Sequence, residues 1–350
     1  MSDKPEKKVY DYGFGEAGNR LIDLFRSGAP DFDKAREILS QGVNINAYKE
    51  DENILSKILL GYWWSETGDD LPDACSECDK EDCCDGCPEN VNLNPNLGKS
   101  MIAVIRFFLE NGFDIHAHND RNGAQCLFAL IWSTYDRYMI EATKLLLDAG
   151  AKNIPVDEID DDNPGSAVAD KASYTGTCLK DYPTANIFEA MYRIYEAAEQ
   201  GKPYAGIDSY EAAAGEKIRK VYWTGDDHTS RDVPFFCIDE PASKHENCFK
   251  GQLCFVYDSG VLILNECIEI WTDSNYVIPD DAADVSGHFP GVIGSAIEKY
   301  EFQHHELEKG STCYVQPVIR MIMNNGSVLS FSTNFGETKK EKEAGHFQLG

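Results

Sequence analysis

Positive charge is scarce in this chain: 32 lysines and arginines face 60 aspartates and glutamates, a formal net charge of −28 over 350 residues. A general nucleic-acid or anionic-membrane surface would have to form against that field, and the composition argues against both. Long apolar runs are missing as well. No stretch approaches the roughly 18 consecutive apolar residues of a membrane span. The start, Met1 to Lys8, has Asp3 and Glu6 among its lysines and lacks the apolar core of a signal peptide. The expectation is a soluble cytoplasmic protein. Cysteine is not scarce, but five of the 12 fall between Cys75 and Cys87, a local cluster rather than a chain-wide disulfide framework. With 42% apolar and 26% charged residues, the chain can bury a core, and its length suits two domains.

The usual catalytic signatures lack their contexts. Gly13-Phe-Gly15-Glu-Ala-Gly18 reads as Gly-x-Gly-x-x-Gly, but no buried strand leads into it and a helical pattern follows where a second strand is required. The acidic run Asp157 to Asp162 has Pro164 and Lys171 where a calcium loop needs ligands. His304-His305-Glu306 has no second histidine at the spacing of a zinc-protease helix.

What the first half does contain is a repeat. Ala35 to Ile45 (AREILSQGVNI), Ala103 to Ile115 (AVIRFFLENGFDI) and Ala142 to Ile154 (ATKLLLDAGAKNI) are apolar helical runs ending in a glycine and a short extended piece. Leu39, Leu109 and Leu147 each stand three residues before Gly42, Gly112 and Gly150, the pattern of a last turn closed by a left-handed glycine. A looser copy runs from Ala190 to Ile207, with Ala197 and Ala198 before Gly201. Shorter helical patterns precede these runs at Arg20 to Phe25, Ile54 to Leu60, Leu127 to Trp132 and Ala167 to Tyr174. Helix pair, glycine stop and extended tip, repeated, predict a stacked solenoid.

This stretch, roughly residues 10 to 207, resembles the ankyrin repeat. The resemblance rests on Asn122, Gly123 and Leu127 at the opening of one unit and on Leu146, Leu147, Gly150 and Ala151 at its close. Phe108, Leu109, Gly112, Asp114 and Ile115 fit in the unit before, and Ile38, Leu39, Gly42, Val43 and Asn46 in the first. The family's Thr-Pro-Leu-His opening is replaced by Gln125 to Phe128 and by Asn53 to Ser56. The resemblance implies partner binding through the extended tips and the concave face of the first helices. It directs attention to Asn44, Asn46, Tyr48, His116, His118, Asn119 and Arg121. Trp63 and Trp64 end a helix and serve either core packing or a partner.

Between the two helices of one unit lies an insertion, residues 65–98, almost without apolar content and so unable to fold by burial alone. It holds two Cys-x-x-Cys pairs, Cys75 with Cys78 and Cys84 with Cys87. Four thiolates could close a tetrahedral zinc site and staple the segment. The gap between the pairs is shorter than the roughly 12 to 20 residues usual for facing Cys-x-x-Cys turns, and a loop of unmetallated thiols is the alternative.

After Gly206 the texture becomes β-branched and aromatic. Strands are expected at Ile218 to Trp223, Gln252 to Tyr257, Val261 to Ile270, Ala296 to Phe302, Tyr314 to Met323 and Ser327 to Thr333. Asp258-Ser259-Gly260 and Asn324-Asn325-Gly326 read as hairpin turns. Gly215 to Trp223 aligns with Gly294 to Phe302, and Phe255 to Leu262 with Met321 to Val328, which suggests an internal duplication.

The expected fold class is therefore α + β in separate domains. An ankyrin-like stack occupies 10–206, an antiparallel sandwich or half-open barrel 207–336, and flexible tails 1–9 and 337–350. The functional expectation is a non-enzymatic interaction protein with a basic protein partner, for instance an immunity-type inhibitor of a basic toxin. Alternatives are an enzyme with Asp226, His228, Glu240, His245 and His288 converging in the β half, or a zinc-dependent sensor acting through the insertion.

Overall fold

The computed structural model describes residues 13–26, 30–49, 52–67, 97–117, 123–131, 137–154, 163–175, 182–225, 236–238, 246–249, 251–265, 269–305, 316–334 and 344–350. Helices occupy the N-terminal half and antiparallel sheets the C-terminal half. Two compact units divide after Val168.

The first unit runs α1 (Gly15–Arg26), α2 (Phe32–Ser40), a small hairpin of β1 (Tyr48–Lys49) and β2 (Glu52–Asn53), α3 (Ile54–Thr67), α4 (Leu97–Glu110), α5 (Ala124–Ile131) and α6 (Tyr138–Asp148), and reaches into α7 (Pro164–Thr175). Gly15 opens α1 and Gly18 lies inside it, and α2 follows, so the glycine run starts a helix pair and not a dinucleotide fold. Helix α1 packs on α2 and α3, α3 on α4 and α5, and both α4 and α5 on α6. Phe32 against Phe107, with ring centroids 5.4 Å apart, brings α2 to α4. The chain thus stacks α1, α3 and α5 in one layer and α2, α4 and α6 in the other. In α5, Ala124 to Leu127 and Ala129 to Ile131 are buried, because neighbours enclose this short helix on all sides.

The glycine stops fold as the spacing predicts. Gly42, Gly112 and Gly150 have φ of +90°, +88° and +103°. Beyond two of them the chain turns back: Phe113 N–H donates to Phe108 C=O at 2.9 Å and Ala151 N–H to Leu146 C=O at 3.0 Å, satisfying carbonyls that the helix end leaves open. The looser fourth copy does the same in the second unit, with Gly201 at φ +64° and Lys202 N–H on Ala197 C=O at 2.8 Å.

The second unit contains α8 (Tyr182–Glu199) and two sheets of six strands whose neighbours are all antiparallel. The strands are β3 (Ile207–Ser209), β4 (Lys220–Thr224), β5 (Phe236–Ile238), β6 (Glu246–Phe249), β7 (Gln252–Tyr257), β8 (Gly260–Asn265), β9 (Ile270–Asp273), β10 (Ala283–Asp284), β11 (Ile297–His305), β12 (Gln316–Met323), β13 (Val328–Asn334) and β14 (Ala344–Leu349). One sheet has the order β10-β4-β7-β8-β9-β3, the other β11-β12-β13-β14-β6-β5. Alternate side chains of both, among them Val221, Phe255, Leu262 and Leu264 from the first and Ile319, Met321, Leu329 and Phe331 from the second, share one apolar core.

The aligned segments occupy equivalent places. Lys220, Val221, Tyr222 and Trp223 pair with Val256, Phe255, Cys254 and Leu253; Lys299, Tyr300, Glu301 and Phe302 pair with Ile322, Met321, Arg320 and Ile319. Past the turns the sequence alignment slips by one residue. Tyr257 pairs directly with Gly260 across a two-residue loop, whereas Met323 N–H donates to Ser327 C=O across three residues, with Gly326 at φ +85°. The partner of Leu262 in the second half is therefore Leu329, also in the core, and not Val328.

Three further expectations change. The run Val261 to Ile270 is two strands, β8 and β9, folded back on each other. The tail expected at 337–350 contains a strand in its described part: β14 lies between β13 and β6, and Phe347 is buried against Phe289, ring centroids 4.8 Å apart. The domain boundary expected at 206/207 falls earlier, because α8 packs on β3 and β9 and belongs to the second unit.

Candidate functional site

The tips of the helix pairs are built by short-range hydrogen bonds. Asn44 Oδ1 accepts from Asn46 N–H at 3.0 Å and Asp114 Oδ1 from His116 N–H at 3.0 Å. The same tight turn follows each, with Ala47 N–H on Asn44 C=O and Ala117 N–H on Asp114 C=O, both 2.9 Å. Asn46 then reaches the next helix pair: its Nδ2 donates to Gly112 C=O at 3.2 Å and its Oδ1 accepts from Asp114 N–H at 2.8 Å. His116, four residues past Gly112 as Asn46 is past Gly42, lies over the next cap, and a Cβ on Gly150 would stand 2.6 Å from its Nε2. Gly123 is enclosed in the same way, since its Cβ would meet Ile115 Cγ1 at 2.4 Å.

Among the residues singled out from the sequence, Asn44, Asn46, Tyr48 and His116 lie on these tips. Asn44 and His116 are exposed, Asn46 is committed to the contact between helix pairs, and half-buried Tyr48 accepts from Gly13 N–H at 2.9 Å through its carbonyl. Trp63 and Trp64 belong to the last turns of α3. His118, Asn119, Arg121, and all four thiols Cys75, Cys78, Cys84 and Cys87, lie outside the described residues, as do Asp226, His228, Glu240 and His245. His288 is exposed at the end of a 3-10 turn, Ser286–His288.

The negative charge is unevenly placed. Among the described residues before Ala169, eleven acids face eleven lysines and arginines. Within the insertion, residues 68–96 carry nine acids and one lysine, and residues 155–162 carry five acids and no base. The helical pairs themselves are close to neutral.

Cys126 and Cys254 are both buried and both pushed up to about 12 by burial, so neither is a ready nucleophile. Among the described residues no group of three or more His, Cys, Asp or Glu side chains is arranged to hold a metal ion.

One charged cluster was not anticipated. Arg193 of α8 donates to Glu189 Oε1 at 2.6 Å, Glu196 Oε2 at 3.0 Å and Glu269 Oε2 at 2.9 Å, with its guanidinium 4.5 Å from the Trp271 ring centroid. The i, i+4 and i, i+3 spacing on α8 was legible in the sequence. Glu269, 76 residues away, was not. The Asn265 amide also donates to Glu269. Burial and the nearby Glu269 push the Glu189 carboxyl up to about 7, against the opposing pull of Arg193.

Comparison with protein-family models, with characterised proteins and with solved structures returns no match for this chain.

Proposed function

We propose that this chain is a non-enzymatic protein-interaction protein whose N-terminal helix pairs form an ankyrin-like stack and whose partner is a basic protein. The observation that carries the reading is the repeated link from one tip to the next cap, Asn46 to Gly112 and Asp114, then His116 to Gly150. Such links hold successive tips in one row, with Asn44 and His116 exposed along it. The attraction for a basic partner comes from the acid-rich stretches 68–96 and 155–162, not from the helices themselves. Inhibition of a basic toxin is one form this activity takes.

The test is capture of partners by the full chain from its source cells at low salt. The reading expects a basic protein that is released between about 50 and 200 mM salt, as the screening length shortens. A chain with Asp157, Glu158, Asp160, Asp161 and Asp162 changed to their amides should bind it more weakly. An acidic or neutral partner held equally at both salt concentrations would sink the reading.

The paired Cys-x-x-Cys spacing favours a second role for the insertion, zinc binding by Cys75, Cys78, Cys84 and Cys87. Protein purified under reducing conditions should then carry close to one zinc per chain, lost in Cys78→Ser and kept in Cys83→Ser. Metal-free protein removes the proposal.

A further inference from the structure

Two cysteines and a histidine from separate parts of the sequence meet in one row of the second sheet. Cys237 of β5 pairs with Cys248 of β6, and Cys248 pairs on its other side with His346 of β14. The row continues to Ser332 of β13. Phe331 and Phe347, next in the chain to Ser332 and His346, belong to the shared apolar core. Strand residues alternate between faces, so the row Cys237, Cys248, His346 and Ser332 occupies the face of the sheet turned away from that core.

The backbone bonds set the spacing within the row. Val328 and Gly350 exchange both of theirs, Val328 N–H to Gly350 C=O at 3.0 Å and Gly350 N–H to Val328 C=O at 2.9 Å. Counted along β14 in steps of two, His346 also directs its backbone groups to β13. Toward β6 it therefore forms a non-hydrogen-bonded pair with Cys248, the closer kind, with Cα atoms about 4.5 Å apart. The same alternation carried across β6 makes Cys248 and Cys237 a hydrogen-bonded pair, about 5.5 Å apart. That separation falls inside the roughly 4.4–6.8 Å that a disulfide spans. Cys248 thus stands between a histidine on its nearer side and a second cysteine on the other. A protonated imidazole at that distance favours the thiolate. Glu246 opposes it from two residues along β6, about 7 Å away, and the nearer charge has the larger effect.

We propose that this row is a redox site in which Cys248 reacts with a hydroperoxide, His346 sustains its thiolate, and Cys237 resolves the product as a disulfide. The Cys248 thiolate attacks hydrogen peroxide: an S–O bond forms, the O–O bond breaks, and the released hydroxide takes the imidazolium proton of His346 to become water. The Cys237 thiol then attacks the sulfenic sulfur. The S–S bond forms, the S–O bond breaks, and the hydroxyl leaves with the Cys237 proton as a second water. The two thiols together lose two electrons, and one peroxide is reduced to two waters. A small dithiol reverses the change by thiol–disulfide exchange. Oxidation ties β5 to β6 covalently, at the end of the order β13-β14-β6-β5. The site lies within the second unit and does not depend on the reading of the helical half.

The experiment uses the reduced full chain, with each thiol followed by mass mapping of its peptides. Iodoacetamide at neutral pH should alkylate Cys248 about tenfold faster in the folded chain than in the chain unfolded by urea, because the rate follows the thiolate fraction. His346→Gln should remove that acceleration without changing the circular dichroism spectrum, and His346→Lys, which restores a positive charge, should recover part of it. An equimolar dose of hydrogen peroxide should yield peptides linked through Cys237 and Cys248, separated again by dithiothreitol. In Cys237→Ser a dimedone adduct should accumulate at Cys248 instead, and in Cys248→Ser the same dose should leave Cys237 reduced. The proposal is overturned if folding does not accelerate Cys248, if His346→Gln leaves its rate unchanged, or if peroxide links only other cysteines. Zinc that persists in Cys78→Ser and blocks alkylation of both Cys237 and Cys248 would make the row a metal site and would equally overturn the redox assignment.

Discussion

Gly215 N–H donates to Ile297 C=O at 2.7 Å, and at the counterpart positions Gly294 N–H donates to Ile218 C=O at 2.7 Å. The pattern is reciprocal in its second pair as well: Ile218 N–H to Ser295 C=O at 3.0 Å and Ile297 N–H to Glu216 C=O at 3.2 Å. Each half of the β unit is thereby tied to the other at the start of its first long strand. The two glycines have φ of +83° and +84°, and a Cβ at either would meet nothing within 4 Å. Alanine at each should therefore cost only the backbone penalty, about 1–2 kcal/mol. Denaturant midpoints should fall by similar amounts for Gly215→Ala and Gly294→Ala. Unequal losses would show that the two crossings are not energetically equivalent.

Burial holds the Glu189 carboxyl at about 7, above its ordinary 4.5. Between those values the folded chain keeps a proton that the unfolded chain releases. The stability linked to that proton is complete below about pH 4.5 and is lost as the pH rises through 7. The charged groups facing Glu189 are Arg193 and Glu196 on its own helix and Glu269 from the sheet. Melting temperatures measured from pH 5 to 8 should decline more steeply for the native chain than for Glu189→Gln. Parallel profiles would mean that Glu189 does not titrate in this range.

Asn46 links two helix pairs through one donor and one acceptor. Asn46→Ala removes both bonds at a partly exposed position and should cost about 1–2 kcal/mol, the usual net worth of two such bonds. Asn46→Asp keeps the acceptor for Asp114 N–H and loses the donor to Gly112, so an intermediate loss is expected in chemical denaturation. Equal stability of all three proteins would make the link incidental.

A fragment of residues 169–350 should fold with a cooperative melt, because it contains α8, both sheets and their shared core. Removing residues 337–350 from it takes away β14 from between β13 and β6, with the buried Phe347. That shortened fragment should lose its near-ultraviolet circular dichroism at 25 °C. Native-like spectra for it would mean that β13 and β6 can close on each other without β14.

Local chemistry determined much of this protein. The helix ends at Gly42, Gly112, Gly150 and Gly201 were legible because only a residue without Cβ enters the left-handed region at no steric cost, and an apolar last turn marks where it must stand. The hairpins at 258–260 and 324–326 were legible for the same reason, and the alignment of Gly215 with Gly294 followed from glycine, spacing and apolar alternation together. Other features depend on partners far away in the chain, which no local pattern encodes. Residues 344–349 read as a tail because Gly345 and His346 interrupt the alternation. They became an interior strand only because β13 and β6 offer hydrogen bonds on both sides. Helix α8 carries the repeat's glycine cap and was assigned to the repeats. Glu269 and Trp271, which draw Arg193 toward the sheet, are separated from it by more than seventy residues. Asn46 likewise looked like a free recognition residue, and the carbonyl of Gly112, 66 positions on, gave it a structural task. Sequence sets which backbone conformations are cheap and which faces are apolar; only the folded chain decides which polar groups are left facing outward.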